Sequence, residues 1–285
     1  MSEVKEKVMK GTLFIAAMAS IGAVIVICVF LFANCFSLFK DVSVSDFLFG
    51  TKWAPSNVPA SYGIWPMIVG SVYVTAGAIL IGVPIGILAS VFMSYYCPKG
   101  IYKVLKPATN LMAGIPSIIY GFFGMVVIVP FVRNNFGGTG NSILSAAILL
   151  GIMILPTIIG VSESSIRAVP RSYYEGALAL GATKERAIFK AVLPAAKSGI
   201  ISAVVLGIGR AIGETMAVIM VVGGQTRVPN SPLQGVRTMT SHIVTEMSYA
   251  TGTHRIALIA TAVVLFVFVL IINVTFSAIS GKDKK

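Results

Sequence analysis

Ser198-Gly-Ile-Ile-Ser-Ala-Val-Val-Leu-Gly-Ile-Gly-Arg-Ala-Ile-Gly-Glu-Thr-Met-Ala-Val-Ile-Met-Val-Val222 is apolar apart from one polar interruption, Gly207-Ile-Gly-Arg-Ala-Ile-Gly-Glu-Thr215. An apolar run of about 20 residues is long enough to cross a bilayer as a helix. Arg210 and Glu214 then lie at membrane depth, where an ionisable side chain is costly unless it faces protein or water. In a continuous helix their i,i+4 spacing puts them on one face. Ala203, Gly207 and Ala217 complete that stripe, so a second helix or an ion can approach closely. Gly209 and Gly213 form a small-residue pair on an adjoining face.

Working outward, five further apolar segments appear, and the six run over about 12–36, 66–95, 108–130, 142–165, 198–222 and 256–279. The chain has 285 residues, 56% hydrophobic and only 11% charged, with a mean hydropathy of +0.91. Soluble domains carry about 25% charged residues. The expected fold class is an all-α membrane protein with six transmembrane helices, a single membrane domain over 1–285 with little mass outside the bilayer. The net charge of +12 sits on short loops without a basic-aromatic module, which argues against nucleic acid and for topology determinants and lipid headgroup contacts. The 22 Lys and Arg divide 15 to 6 between the two sides, with Arg210 inside. The richer side holds the N-terminus, the 96–107 and 166–197 loops and the tail with Lys282, Lys284 and Lys285. That bias places both termini in the cytoplasm.

Cys28, Cys35 and Cys97 have no metal-ligand spacing and predict no disulfide framework. His242 and His254 are too far apart in sequence to suggest a metal site. Glu163 is expected to be solvated or paired with Arg167. Trp53, Tyr62 and Trp65 read as interfacial anchors or as part of an external docking surface. Residues Met239 to Met247 carry a short helical pattern.

The 166–197 loop is the largest connection on the basic side. Ser172-Tyr-Tyr-Glu175 has capping-box spacing, which predicts a short helix from there to about Leu180. Gly181 suits a left-handed C-terminal position. Thr183 is placed to cap a second helix, limited by Pro194. The product is a helix-turn-helix elbow at the membrane surface.

Glu175-Gly176-Ala177, Gly181, Ala191 and Leu193-Pro194 resemble the EAA motif of ABC importer permeases, E-A-A-x3-G-x9-I-x-L-P. Five of the seven fixed positions match in register; Gly176 replaces an alanine and Ala191 the isoleucine. In that family the elbow docks into a groove on an ATPase subunit. Gly114-Ile-Pro-Ser-Ile-Ile-Tyr-Gly-Phe-Phe-Gly124, Leu155-Pro-Thr157 and Gly209-Arg-Ala-Ile-Gly-Glu-Thr-Met-Ala-Val218 resemble permeases of the Pst phosphate importer. Phe47-Leu-Phe-Gly50, Trp53 and Pro55 are similar to its PstC rather than its PstA subunit.

The resemblance implies a type I importer permease in a bacterial or archaeal plasma membrane, forming half of a translocation path. Its implied partners are a PstA-like second permease, a homodimeric PstB-like ATPase and an external PstS-like phosphate-binding protein. The chain has no G-x-x-x-x-G-K-[ST] phosphate loop, so it is expected to be no enzyme and to bind no cofactor, with ATP-Mg on the ATPase. For the path, Arg210 matches phosphate oxygens with its guanidinium fork. Glu214 would moderate that attraction and Thr215 add a neutral hydrogen bond, with Ser117, Tyr120 and Thr157 as contributors from other helices. Two alternatives stay open. Arg210 and Glu214 could be a structural pair at the interface with the second permease. The cargo could be another oxyanion such as sulfate or molybdate. A gradient-driven secondary transporter would leave the elbow without a role.

Overall fold

The computed structural model describes residues 2–282, with side chains for 5–275; Lys284 and Lys285 of the tail lie outside the described residues. Helix α1 (Ser2–Leu38) is apolar on every face over its membrane-crossing length. Such a helix has no preferred side to bury in a protein core and belongs in lipid. It leans on the last helix through an edge-to-face contact of Phe32 with Phe266. A cap follows, made of α2 (Val44–Phe49) and a two-residue pairing of β1 (Trp53–Ala54) with β2 (Ser61–Tyr62).

Helix α3 (Trp65–Val91) continues through a π-turn, Phe92–Tyr96, as one apolar span. It packs lengthwise on α7 (Ile143–Arg167), the central helix of the bundle. Glycines permit the approach. A Cβ on Gly77 would meet Ala147, one on Gly82 would meet Ile154 and the Gly151 carbonyl, and one on Gly86 would meet Ile158, each within 2.8 Å. Close backbone packing of this kind is how helices associate where lipid removes the hydrophobic drive. Leu149, Leu150, Met153, Ile154 and Ile158 of α7 form the middle of the core.

The third span departs from the expected 108–130. Residues 99–107, expected as a loop, and 108–114, expected as the start of the span, form one amphipathic helix, α4 (Lys99–Gly114), with no fully buried residue. Its lysines 99, 103 and 106 recur at helical spacing, a signal present in the sequence. Pro116 ends α4 because it forces Ile115 into extended backbone, φ −67° and ψ 126°. The span proper is α5 (Ser117–Phe123), a π-turn over Gly124–Ile128, and α6 (Val129–Phe136).

The elbow consists of α8 (Arg171–Ala179), α9 (Lys184–Ala187), a π-turn over Ile188–Val192 and α10 (Leu193–Ala195). The chain then bends by 71° into α11 (Lys197–Gly213). The expected continuous helix over 198–222 is broken. Glu214 and Thr215 leave helical geometry, and α12 (Met216–Val221) resumes it. Helix α13 (Met239–Met247) coincides with the short pattern read from the sequence and completes the cap, and α14 (Gly252–Lys282) is the last span. Five described helices are long and apolar enough to cross a membrane, six when the bent pair ending in α11 counts as one.

The α3–α7 seam is tested by Gly82→Val, which drives a branched side chain against the Gly151 carbonyl and Ile154. Overpacking of this kind costs about 1–3 kcal/mol. A lower unfolding temperature in detergent is expected, whereas Gly22→Ala on α1, with nothing within 4 Å, should leave it unchanged or slightly raised.

Candidate translocation and coupling sites

Pro156 and Thr157 lie in α7, opposite the last turn of α11. Arg210 Nη1 donates to Thr157 Oγ1 at 3.3 Å. Among the described residues no carboxylate lies within 4.0 Å of that guanidinium. The expected Arg210–Glu214 pair is therefore absent, and the reason is the break. Glu214 is extended, φ −70° and ψ 132°, so it no longer follows Arg210 around a helix. Its Oε1 instead accepts from the Ala217 amide at 3.1 Å, at the start of α12. Its carbonyl accepts from Thr240 Oγ1 of α13 at 3.1 Å. Thr215 Oγ1 donates to the Gly213 carbonyl at 3.3 Å, and the Thr215 carbonyl accepts from the Ile219 amide. A span interrupted at membrane depth must satisfy its freed backbone groups internally, and these bonds do so for the Gly213, Glu214 and Thr215 carbonyls and the Ala217 amide.

Arg210, Thr157, Glu214 and Thr215 thus cluster at the α7–α11–α12 junction. Tyr120 belongs to the same buried core but spends its hydroxyl on the Met112 carbonyl, 2.9 Å away. That bond ties α5 back to α4 across the Pro116 turn. Ser117 begins α5, half-buried, and makes no hydrogen bond to Arg210. Gly209 and Gly213 have nothing within 4 Å of an added Cβ, so their face is open in this chain.

The elbow is held to the bundle by Ile188, Val192 and Ala196 packed on Val91 and Ile166. Ser172 does not cap α8. Pro170 occupies the N-cap position with ψ 138°, so the helix starts at Arg171 and Ser172 falls inside it. Gly181 does end it, with φ +85°. The Gly181 amide donates to the Leu178 carbonyl and the Ala182 amide to the Ala177 carbonyl, the paired pattern of a Schellman cap. Thr183 Oγ1 accepts from the Arg186 amide and caps α9. Pro194 does not end the second elbow helix, because the π-turn before it absorbs the missing amide, and the bend comes at Ala196. Glu175, Gly176 and Pro194 are exposed, Ala177, Ala191 and Leu193 half-buried. Sequence reading passed over Leu180, which stands 92% exposed beside Gly181, with Tyr173 and Phe189 also exposed.

Two carboxylates sit at opposite ends of the bundle. Glu163 is buried rather than solvated; it pairs with Arg167, as expected, and with Lys106. Glu246 organises the cap, accepting from Trp53 Nε1 (2.9 Å), Arg237 and His254 Nε2 (2.8 Å). Arg237 also reaches the Gly224 carbonyl, so it pins the loop that enters α13. His242 is fully buried beside Trp53, ring centroids 4.2 Å apart. The fold therefore brings together two histidines that sequence distance kept apart, yet among the described residues no group of three acidic, histidine or cysteine side chains could hold a metal. Trp53 is a buried part of the cap core rather than a free interfacial anchor. Burial would raise the Glu246 carboxyl, but the His254 hydrogen bond, neighbouring His242, Trp53 and Arg237 outweigh it and hold it below its usual value. Burial pushes His242 down to about 4, so the ring stays neutral.

Packed membrane helices, a span broken beside a half-buried arginine and a rigid elbow outside the bundle together define the membrane subunit of an ABC importer. The chain belongs to the family of binding-protein-dependent transport system inner membrane components, which its residues 82–282 match. It is 40% identical over 247 residues to a probable ABC transporter permease protein, YqgH, of Bacillus subtilis, covering 85% of this chain and 80% of that one. It is 34% identical over 248 residues to the phosphate transport system permease protein PstC of Mesorhizobium japonicum, covering 80% and 75%. Its fold is similar to that of a bacterial ABC transporter that imports alginate (TM-score 0.63, 17% identity, 98% of this chain and 99% of that one). It is also similar to the MetNI methionine transporter in inward-facing form (TM-score 0.58, 21% identity, 78% and 95%).

The cap is expected to lose stability in a definite acid window. A neutral buried His242 binds no proton until about pH 4, whereas the unfolded chain protonates it below about 6.5. Its contribution to cap stability is full above about pH 6.5 and is lost as pH falls toward 4, on the order of a few kcal/mol. The Glu246 contribution is full above its unfolded value of about 4.3 and is lost as pH falls below it. With Trp65→Phe, Trp53 is the sole tryptophan and its emission reports the cap. It should red-shift across that window, and His242→Asn should flatten the shift.

Proposed function

We propose that this chain is one of two permease subunits of an ATP-driven phosphate importer, forming half of the path and transmitting ATPase closure through the elbow. The observation that carries this reading is Arg210: a permanently charged fork at a broken span that, among the described residues, has one neutral hydrogen bond and no carboxylate partner. Phosphate carries one to two negative charges at neutral pH, and a guanidinium recognises its oxygens bidentately. A single weakly held cation attracts the ion without trapping it, as conduction requires. Thr157 orients Arg210, while Glu214 and Thr215 keep the break open and place a carboxylate near the path that discourages tight binding. Ser117 and Tyr120 contribute from α5, Tyr120 by holding the Pro116 turn. The absence of an Arg210–Glu214 bridge favours a path role over a structural pair.

The PstC-named relatives support phosphate as the cargo. The fold alone does not choose, since its structural neighbours include a methionine and an alginate transporter. In this reading both termini and the elbow face the cytoplasm and the Trp53–Glu246 cap faces outward. The chain contributes no nucleotide site; ATP-Mg is bound by a homodimeric PstB-like ATPase that receives Glu175, Gly176, Ala177, Gly181, Ala191, Leu193 and Pro194. A PstA-like permease completes the path, and a PstS-like protein delivers phosphate at the cap.

Labelled-phosphate uptake in cells lacking this chain, restored with wild type or Arg210→Gln, is the test, with sulfate and molybdate as competitors. Wild type should restore ATP-dependent uptake that both competitors leave intact. Arg210→Gln should lower the initial rate about 10- to 100-fold, the loss of charge-assisted bonds worth about 1.5–3 kcal/mol, with normal complex assembly. Competition by sulfate would transfer the site to another oxyanion, and failed assembly would restore the structural role. Separately, Leu180→Asp should abolish copurification with the ATPase while leaving the chain in the membrane.

A further inference from the structure

Glu163 is a carboxylate that neither the path nor the elbow motif uses, yet it is 1% exposed and fully engaged. Its Oε1 accepts from Tyr102 Oη at 2.7 Å and Arg167 Nε at 2.8 Å, and its Oε2 from Lys106 Nζ at 2.7 Å. Arg167 Nη2 reaches the Met93 carbonyl in the π-turn after α3, 2.7 Å away, and its guanidinium lies over the Tyr102 ring at 4.6 Å. Glu163 and Arg167 together therefore join the ends of α3 and α7 to the middle of α4. Helix α4 buries no residue fully, so directional polar bonds fix its position where apolar packing does not.

The two ends of this linkage lead to the two functional regions. Arg167 closes α7, and the elbow helix α8 begins at Arg171. Helix α4 runs to the Ile115–Pro116 turn and into α5, and Tyr120 bonds back to Met112 across that turn. Helix α5 lies on α12 so closely that a Cβ on Gly121 would come within 2.9 Å of Ala217 Cα. Helix α12 begins just after the break at Glu214–Thr215. We infer that Glu163 is a positioning residue which, through Lys106 and Tyr102, makes α4 follow the end of α7, so that elbow movement reaches the broken span.

A buried charge cluster is a poor source of net stability compared with apolar packing, but its bonds have fixed directions and resist sliding. That property suits a part that must transmit displacement. The inference rests on the ATP-driven importer reading and not on the identity of the cargo.

The test uses the complete complex in liposomes, with Cys28, Cys35 and Cys97 replaced by serine and spin labels at Lys103 on α4 and Arg186 on the elbow, both exposed. In the parent protein the label distance should stay a single narrow distribution with and without ATP-vanadate. In Glu163→Gln and Lys106→Met it should broaden or split when nucleotide is trapped. ATPase activity per assembled complex should stay within about twofold, while phosphate moved per ATP falls about tenfold or more. Lys106→Arg, which keeps the charge, should restore both readings. If Glu163→Gln does not assemble, Lys106→Met and Tyr102→Phe leave the carboxylate paired with Arg167 and decide the question. Unchanged label distances in the variants, or uptake and ATPase falling together, would overturn the inference. A parent complex that hydrolyses ATP but moves no phosphate would reject the cargo, while the label distances would still judge Glu163.

Discussion

The break at Glu214–Thr215 is the constraint on which the rest of the structure depends. Inside a bilayer a freed backbone amide or carbonyl has no water to turn to, and each unsatisfied group costs several kcal/mol. The chain meets this with its own groups. Glu214 caps the amide of Ala217, and Thr240 reaches in from the cap to take the Glu214 carbonyl. Helix α13 is therefore tied to the broken span. Ser71 of α3 in turn receives the Met239 amide, so the cap, the break and the second span are one hydrogen-bonded unit. Displacing α12 would first strain the Ala217–Glu214 bond and, through Glu214, the tie to Thr240.

Charge is used sparingly and in two manners. At the ends of the bundle, Glu163 and Glu246 are buried carboxylates with every strong partner in place, and each gathers elements that are distant in sequence. At the break, Arg210 has one neutral partner among the described residues. The contrast is chemical. A saturated carboxylate fixes geometry, whereas an undersatisfied guanidinium retains capacity for a passing anion.

The elbow shows how little apolar contact suffices when local structure is stiff. A Schellman cap at Gly181 and the Thr183 cap fix the turn between α8 and α9. Ile188 and Val192 then anchor it to Val91 and Ile166. What projects is a short rigid surface tipped by Leu180, suited to pushing or being pushed.

The sequence by itself determined the membrane-spanning class, the elbow with its Gly181 and Thr183 signals, helix α13 and the polar interruption at 207–215. These follow from length of apolar run, helical spacing and turn chemistry, which are local. It did not determine that Arg210 and Glu214 part company, because helical periodicity assumes a continuous helix. Thr240, which takes the freed Glu214 carbonyl, arrives from 26 residues away. Nor did it reveal that α4 is a helix, since its lysines were read as loop charge, or that His242, His254, Arg237 and Trp53 meet at Glu246. Tertiary structure decided those matters, because a buried polar group takes its partner from whichever element the packing brings near, whatever the distance along the chain.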